Sequence, residues 1–114
     1  MHNNPTNITK QYFAYSNVAD LSAIKSMFHP QATYSSANTG LYYGVDDIMT
    51  MMTHFFAQFS ALEWQIDEIK ANNAHIVEVA FTLHAIDLND CHMERSGIER
   101  LVVVDGLIKH IEVR

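Results

Sequence analysis

The sequence predicts an α+β fold, in which three helices pack on one face of an antiparallel sheet formed by the second half of the chain. Two observations support this. Apolar residues recur every three or four positions up to Phe59, whereas from Leu62 onward apolar and polar residues alternate. Turn residues, above all Asp105 and Gly106, separate the alternating stretches as hairpin connections do.

The first two helices are separated by Asp20, whose carboxylate can cap a helix N-terminus. Helix one carries a stripe of apolar side chains, namely Ile8, Tyr12, Tyr15 and Val18. Helix two is predicted over Leu21–Phe28 and has to stop before Pro30, because the residue before a proline disfavours helical backbone.

A short hairpin and a third helix follow. Ala32–Ser36 and Leu41–Tyr43 alternate as strands do, around the turn residues that end at Gly40. The third helix is predicted from Asp46 to Phe59, with acidic residues in its positive first turn. Its apolar side chains are Ile48, Met52, Phe55, Phe56 and Phe59.

Four strands of an antiparallel meander are predicted in the second half: Leu62–Asp67, Ile76–Ile86, Met93–Val104 and Leu107–Val113. On the second strand the odd positions are uniformly apolar and are expected to face the helices: Val77, Val79, Phe81, Leu83 and Ala85. The opposite face mixes polar side chains with Ile76, Ala80 and, in register, Val102 and Val104. It is too apolar to leave exposed, so we expect a homodimer interface on this convex face.

The size, charge and cysteine content exclude several classes of protein. The 114 residues fit one domain spanning 1–114. A formal net charge of -6 disfavours binding to nucleic acid or an anionic membrane. The lone Cys91 cannot form an intramolecular disulfide, no apolar run is long enough to span a membrane, and the first residues lack the pattern of a secretory signal. We therefore expect a soluble, cytoplasmic, unprocessed protein.

Four segments in this order resemble a known superfamily: Gln11–Leu21, Met27–Tyr34, Tyr43–Phe59 and Val104–Ile108. They are similar to the nuclear transport factor 2-like superfamily, which includes SnoaL-like polyketide cyclases and ketosteroid isomerases. The resemblance implies a cone, in which a strongly curved antiparallel sheet wraps around the helices and leaves a ligand pocket at its wide end. It does not fix the activity, because such proteins isomerise, dehydrate, cyclise, hydrolyse epoxides or only bind.

Tyr12 and Glu99 are the first two candidates for catalysis in such a pocket. Tyr12 is at a position that resembles the oxyanion-hole tyrosine of ketosteroid isomerases; the alternative is an aromatic side chain that only packs on the sheet. Counting back from Leu101 along the strand places Glu99 on the pocket face, where burial would raise its pKa. The alternative is a bulge at Gly97 that moves Glu99 to the surface, where it pairs with Arg95, Arg100 or a partner chain.

Ser36 is the third candidate, and it occupies the position that resembles the aspartate base of the isomerases. A hydroxyl cannot remove a proton unaided near neutral pH, so a steroid-type isomerase is disfavoured. Ser36 is expected to position a water molecule or a substrate oxygen. Tyr34 is expected to point to the opposite face of the same strand, and either residue could line the mouth of the cone.

The ligand-binding surface is predicted to be apolar and rich in aromatic and thioether side chains. Its expected members are Phe28, Tyr34, Met52, Phe55, Phe56, Phe59, Trp64, Phe81, Leu83 and Leu101. Flexible methionine side chains suit an adaptable pocket. The same composition also fits a core that is completely filled, and composition alone does not separate the two.

No metal and no cofactor are expected. Potential ligands cluster at the predicted hairpin: Asp87, Asp90, Cys91, His92 and Glu94. Their spacing matches neither a zinc nor a calcium motif, so a polar hairpin is favoured. His84 and His110 fall on the convex face, and His110 would be a fallback base only if the last strand carried a bulge.

The resulting functional hypothesis is a protein that binds a small hydrophobic molecule. If catalytic, it would be a cofactor-free isomerase, cyclase or dehydratase acting on a hydrophobic carbonyl compound, with Tyr12 as hydrogen-bond donor, Glu99 as acid or base and Ser36 as a positioning group. The alternative is a ligand-binding or dimeric interaction module without turnover, favoured by the lack of a nucleophile paired with a base. A structural dimer with a filled core is the third possibility.

Overall fold

The computed structural model describes residues 4–114 and contains three helices and six strands. The helices are α1 (Pro5–Asn17), α2 (Leu21–Ser26) and α3 (Val45–Phe56). The strands are β1 (Phe28–Ser36), β2 (Gly40–Tyr43), β3 (Phe59–Ala71), β4 (Ile76–Asp87), β5 (His92–Val104) and β6 (Leu107–Val113). This arrangement is of the predicted α+β class.

Side chains cap the first two helices, and the cap of the second helix by Asp20 is the one that the sequence predicted. The Asn4 side chain accepts a hydrogen bond of 2.8 Å from the Asn7 amide, and Pro5 opens α1. The Asp20 carboxylate accepts a hydrogen bond of 3.1 Å from the Ala23 amide at the start of α2. These bonds satisfy backbone donors that have no partner within the helix.

Two helices are shorter than predicted, because strand pairing takes over at their ends. Helix α2 ends at Ser26 rather than Phe28, and Phe28 already pairs with Ile108 of β6. Helix α3 ends at Phe56, and Phe59 opens β3 opposite Asp87. In both places the helical spacing of apolar residues in the sequence continues to a phenylalanine. Pairing with a neighbouring strand keeps that phenylalanine in an extended conformation.

The six strands form one open sheet in the order β2-β1-β6-β5-β4-β3. The predicted meander from β3 to β6 is present and antiparallel, as is the β1–β2 hairpin. One pairing differs from the all-antiparallel prediction, because β1 and β6 run parallel, with Tyr34 opposite Ile111. The sheet is therefore mixed, and β2 and β3 are its two edges.

The helices cover one face of the sheet, here called the inner face. The odd positions of β4 are all buried on it, as predicted: Val77, Val79, Phe81, Leu83 and Ala85. The opposite, outer face carries a row of ion pairs across three strands. Arg100 contacts Glu78 at 2.8 Å and Glu112 at 3.0 Å, and Arg114 contacts Glu112 at 2.9 Å.

Within residues 4–114, no helix is long and apolar enough to cross a membrane.

Candidate functional site

A cavity of about 80 Å³ lies between the inner face of the sheet and helices α1 and α3. Most of its walls are apolar: Phe13, Met51, Met52, Phe55, Phe56, Trp64, Phe81, Leu83 and Val113. Its polar groups are Tyr12, Ser16, Tyr34, Ser36, Asn38, Thr39, Arg95 and Glu99. Asn38, Thr39 and Arg95 are exposed to solvent, so they mark the mouth of the cavity.

Glu99 is buried in the wall of this cavity, with only 4% of its surface exposed. The pairing between β4 and β5 runs without a shift from Ile76 opposite Val102 to Ile86 opposite His92. The alternative of a bulge at Gly97 that carries Glu99 to the surface is therefore wrong. The register shift of β5 lies in its pairing with β6, between Val102 and Val103.

Burial raises the pKa of the Glu99 carboxyl from its ordinary value of 4.5 to about 8. Among residues 4–114, no group forms a hydrogen bond with its Oε2 atom, and no cation pairs with it. A carboxyl in this setting is mostly protonated at neutral pH. It then presents an O–H donor to the cavity instead of a negative charge.

Tyr12 and Tyr34 share this polar corner of the cavity with Glu99. Burial raises the pKa of both phenols well above 10.0, and negative charge on Glu99 is the second cause in each case. Both hydroxyls therefore stay protonated as hydrogen-bond donors. The ring of Tyr12 also packs edge-on against Phe13 and Phe28, with centroids 5.7 Å and 6.0 Å apart. Tyr12 thus combines the aromatic packing role with a polar group at the cavity.

Ser36 and Tyr34 lie on the same face of β1, not on opposite faces as expected. They are two residues apart, and alternate residues of a strand point to the same side. Tyr34 pairs with Ile111 and Ser36 with Val113, and both side chains line the cavity. The Ser36 hydroxyl accepts a hydrogen bond of 3.1 Å from the Asn38 amide, so it also holds the turn at the mouth.

Three residues expected to bind ligand lie outside the cavity lining. Phe28 is buried in the core behind Tyr12. Leu101 is completely buried beneath Glu99, two residues further along β5. Phe59 starts β3 and packs on Phe55, with ring centroids 5.1 Å apart. The other expected members line the cavity: Tyr34, Met52, Phe55, Phe56, Trp64, Phe81 and Leu83.

Arg95 is the most consequential lining residue that sequence reasoning missed. The alternation that places Glu99 on the inner face also places Arg95 there, four residues earlier. Ser16 could have been found by its helical spacing from Tyr12, and its hydroxyl donates a hydrogen bond of 2.9 Å to the Tyr12 carbonyl. The loop residues Asn38 and Thr39 had no signal in the sequence that would link them to the cavity.

The histidines and the acidic hairpin lie elsewhere. His110 lies 2.7 Å from the Thr33 hydroxyl and His84 lies 3.4 Å from Gln65, both on the outer face. The β5–β6 pairing does carry a shift next to His110, yet His110 still pairs with Val102 and does not reach the cavity.

The Asp87 carboxylate accepts hydrogen bonds of 2.8 Å and 2.9 Å from the Asn89 and Cys91 amides, which is the bonding of a polar turn. Across residues 4–114 no group of three potential metal ligands comes together.

Comparison with known structures shows the same fold in several bacterial proteins. An NTF2-like protein of unknown function from Burkholderia pseudomallei superposes with a TM-score of 0.87 at 13% identity, over 97% of this chain and 89% of the other. A putative polyketide cyclase from Xanthomonas campestris gives 0.82 at 16% identity, over 96% and 87%. An epoxide hydrolase of M. tuberculosis gives 0.84 at 14% identity, over 96% and 80%. No curated protein sequence matches the chain.

The sequence itself identifies the family. The model of the SnoaL-like domain matches residues 9–111, which includes every residue of the cavity lining except Val113. The structural likeness to NTF2-like and ketosteroid isomerase-like proteins agrees with this match. The chain therefore belongs to the SnoaL-like family.

Proposed function

We propose that this protein binds a small apolar carbonyl compound in the cavity, with neutral Glu99 donating a hydrogen bond to the carbonyl oxygen. The observation that carries the proposal is the buried Glu99 carboxyl in the wall of an apolar cavity. Its Oε2 atom has no hydrogen-bond partner among residues 4–114. A few polar groups among apolar walls are typical of sites that orient small organic ligands. Structural neighbours that include a putative polyketide cyclase and an epoxide hydrolase support a small organic ligand.

The same contact favours chemistry at the carbon next to the carbonyl. A hydrogen bond from Glu99, assisted by the Tyr12 hydroxyl, stabilises the negative charge that develops on the oxygen when a neighbouring proton is removed. Isomerisation, aldol-type cyclisation and the dehydration of β-hydroxy carbonyl compounds have routes through such a state. Ser36 would position a water molecule or a substrate oxygen near the mouth.

A second candidate function is binding without turnover. Among the described residues, the cavity lining holds no second carboxylate and no histidine, so no separate base faces Glu99. A reaction would then need Glu99 to move the proton by itself or through water. The two candidates differ in one observable, which is exchange of the protons next to the carbonyl.

The test uses acetophenone as the probe in D₂O, with binding followed by calorimetry and exchange of its methyl protons followed by NMR. We expect Glu99→Leu to weaken binding by about tenfold, because the hydrogen-bond donor is lost, while Glu99→Gln keeps a donor and retains binding at neutral pH. Tyr12→Phe should have a smaller effect. Exposed Glu94 provides the control, as Glu94→Gln.

The outcomes separate the candidates. Exchange accelerated by the wild type and lost in Glu99→Gln supports catalysis, whereas tight binding without exchange supports the binding module. Equal affinities of the wild type and Glu99→Leu for acetophenone would contradict the role of Glu99 in both.

We propose further that the chain acts as a single domain in the cytoplasm and forms a homodimer through the outer face. Support for the dimer comes from half-buried apolar side chains that pair across strands on that face: Ile76 with Val102, and Ala80 with Ile98. We expect sedimentation to give twice the monomer mass for the wild type and the monomer mass for Ile98→Lys, with Lys10→Glu at an exposed position on α1 as the control. A monomeric wild type would refute the dimer.

A further inference from the structure

We infer that the ligand carries a carboxylate in addition to its carbonyl group, and that Arg95 holds this carboxylate at the mouth of the cavity. This inference rests on the proposed function and narrows its ligand to apolar carboxylic acids with a carbonyl at the far end. Arg95 lines the cavity and is exposed to solvent, whereas Glu99 lies in its buried part.

The register of β5 places Arg95, Gly97 and Glu99 in one row on the inner face. They pair with Leu83, Phe81 and Val79, which are all buried. Residues four apart on a strand have Cα atoms about 13 Å apart. The row therefore runs from the mouth of the cavity to its buried end.

Gly97 leaves the middle of this row without a side chain, and the ring of Phe81 fills the space. A Cβ atom at position 97 would lie 2.8 Å from Cζ of Phe81 and 3.1 Å from its Cε1. The row thus presents a cation, an aromatic surface and a neutral hydrogen-bond donor in that order. A ligand that matches this row carries an anionic group, an apolar body and a carbonyl oxygen in the same order.

The charge of Arg95 has no counterpart in the described part of the chain. The ion pairs of residues 4–114 involve Lys25, Lys70, Arg100 and Arg114 and leave Arg95 out. The other polar residues at the mouth are neutral, namely Ser36, Asn38 and Thr39. The whole chain carries a net charge of -6, so most of its surface repels anions. At the mouth of the cavity, the positive charge of Arg95 attracts them. A guanidinium binds a carboxylate through two parallel hydrogen bonds.

The size of the cavity agrees with a ligand that extends out of it. Its volume of about 80 Å³ is smaller than the roughly 150 Å³ that encloses a benzene ring in an engineered apolar cavity. A ligand with an aromatic body is therefore only partly enclosed, and its outer end reaches the solvent at the mouth, where Arg95 lies.

The test compares 4-acetylbenzoate with its neutral analogue 4-acetylbenzamide, which share the ring and the acetyl carbonyl. We expect the wild type to bind the acid about tenfold more tightly than the amide at neutral pH and low salt. Arg95→Gln should bring the ratio of the affinities for the acid and the amide close to one, and Arg95→Lys should keep part of the preference for the acid. Lys10→Gln is the control, because it removes one positive charge from an exposed position on α1.

The outcomes distinguish this inference from the proposed function. If the wild type binds the amide as tightly as the acid, or if Arg95→Gln keeps the preference, the carboxylate assignment to Arg95 is wrong while the carbonyl site stands. If the wild type binds neither compound, both proposals fail. Thermal melts of the variants verify that each one is folded.

Discussion

At the scale of the residue, the central feature is a carboxyl that folding places in an apolar wall without a counter-charge. Among residues 4–114, no arginine pairs with the buried Glu99 carboxyl and no backbone N–H donates a hydrogen bond to it. Desolvation alone therefore raises its pKa. A charged carboxylate would be strongly destabilised there. The fold therefore favours the protonated form, and the stability of the protein becomes linked to pH.

The free energy of unfolding of the wild type should fall as the pH rises from about 4.5 to about 8, the ordinary and the folded pKa of Glu99. In this interval the folded state keeps a proton that the unfolded state has lost, so each pH unit removes about 1.4 kcal/mol. The total approaches about 5 kcal/mol and is complete above the folded pKa.

Denaturant titrations at several pH values between about 5 and 9 measure this slope. Glu99→Gln has no proton to lose and should show a much flatter profile, whereas Glu94→Gln should follow the wild type. Parallel profiles of the wild type and Glu99→Gln would mean that Glu99 ionises normally in the folded protein.

The sequence predicted the position of Glu99 because strand alternation is strict once one buried neighbour, Leu101, is recognised. The same alternation places Tyr34 and Ser36 on one face of β1, although they were predicted on opposite faces. It also places Arg95 on the inner face of β5, which the sequence analysis did not predict. The contacts of Ser36 with the turn residue Asn38 depend on the β1–β2 connection. No periodic pattern encodes that geometry.

At the scale of the element, helix α1 is tied to the edge strand β3 by one side chain. The Asn17 amide donates a hydrogen bond of 3.0 Å to the Trp64 carbonyl, and the Trp64 amide donates one of 2.6 Å to the Asn17 side-chain oxygen. Trp64 lies in an edge strand, where backbone groups lack a partner on one side. Asn17 therefore satisfies both backbone groups of Trp64 and fixes α1 over the cavity.

Asn17→Ala should lower the free energy of unfolding by about 1–2 kcal/mol, because two hydrogen bonds at a largely exposed site are lost to water. Trp64 is the single tryptophan, so its fluorescence reports the change directly during denaturant unfolding. Asn72→Ala in the β3–β4 turn is a suitable comparison and should cost less. An unchanged midpoint for Asn17→Ala would show that the link contributes nothing to stability.

The elements themselves were largely predictable, whereas their ends and one pairing were not. Amphipathic spacing and strand alternation are local, so they identified all three helices and the meander. The ends of α2 and α3 depend on Phe28 and Phe59 pairing with distant strands. The parallel pairing of β1 with β6 joins segments far apart in the chain, and local patterns carry no information about such partners.

At the scale of the whole molecule, the helices and the sheet leave space between them. Val113 and Val103 provide a matched pair of sites on adjacent strands. Val113 borders the cavity and is 8% exposed, whereas Val103 is 2% exposed and lies outside the lining. An added methylene group should therefore find room at one position and not at the other.

Val113→Leu should raise the free energy of unfolding by about 0.5–1 kcal/mol, because the larger side chain fills empty space. Val103→Leu should lower it by about 1–3 kcal/mol through overpacking. Thermal and denaturant melts of both variants measure the difference, and binding of acetophenone should weaken in Val113→Leu. Destabilisation of similar size in both would indicate that the space beside Val113 is already filled.

The place of β6 between β1 and β5 has a consequence for how the protein folds. Thr33 and His110, which face each other across β1 and β6, are 77 residues apart in the chain. The β1–β2 hairpin joins the rest of the sheet through β6, so this hairpin has no sheet to join until β6 has formed. The wall that carries Tyr34 and Ser36 meets the wall that carries Glu99 only when β6 pairs with both β1 and β5. A ligand that contacts both walls would therefore stabilise only the state in which β6 is paired.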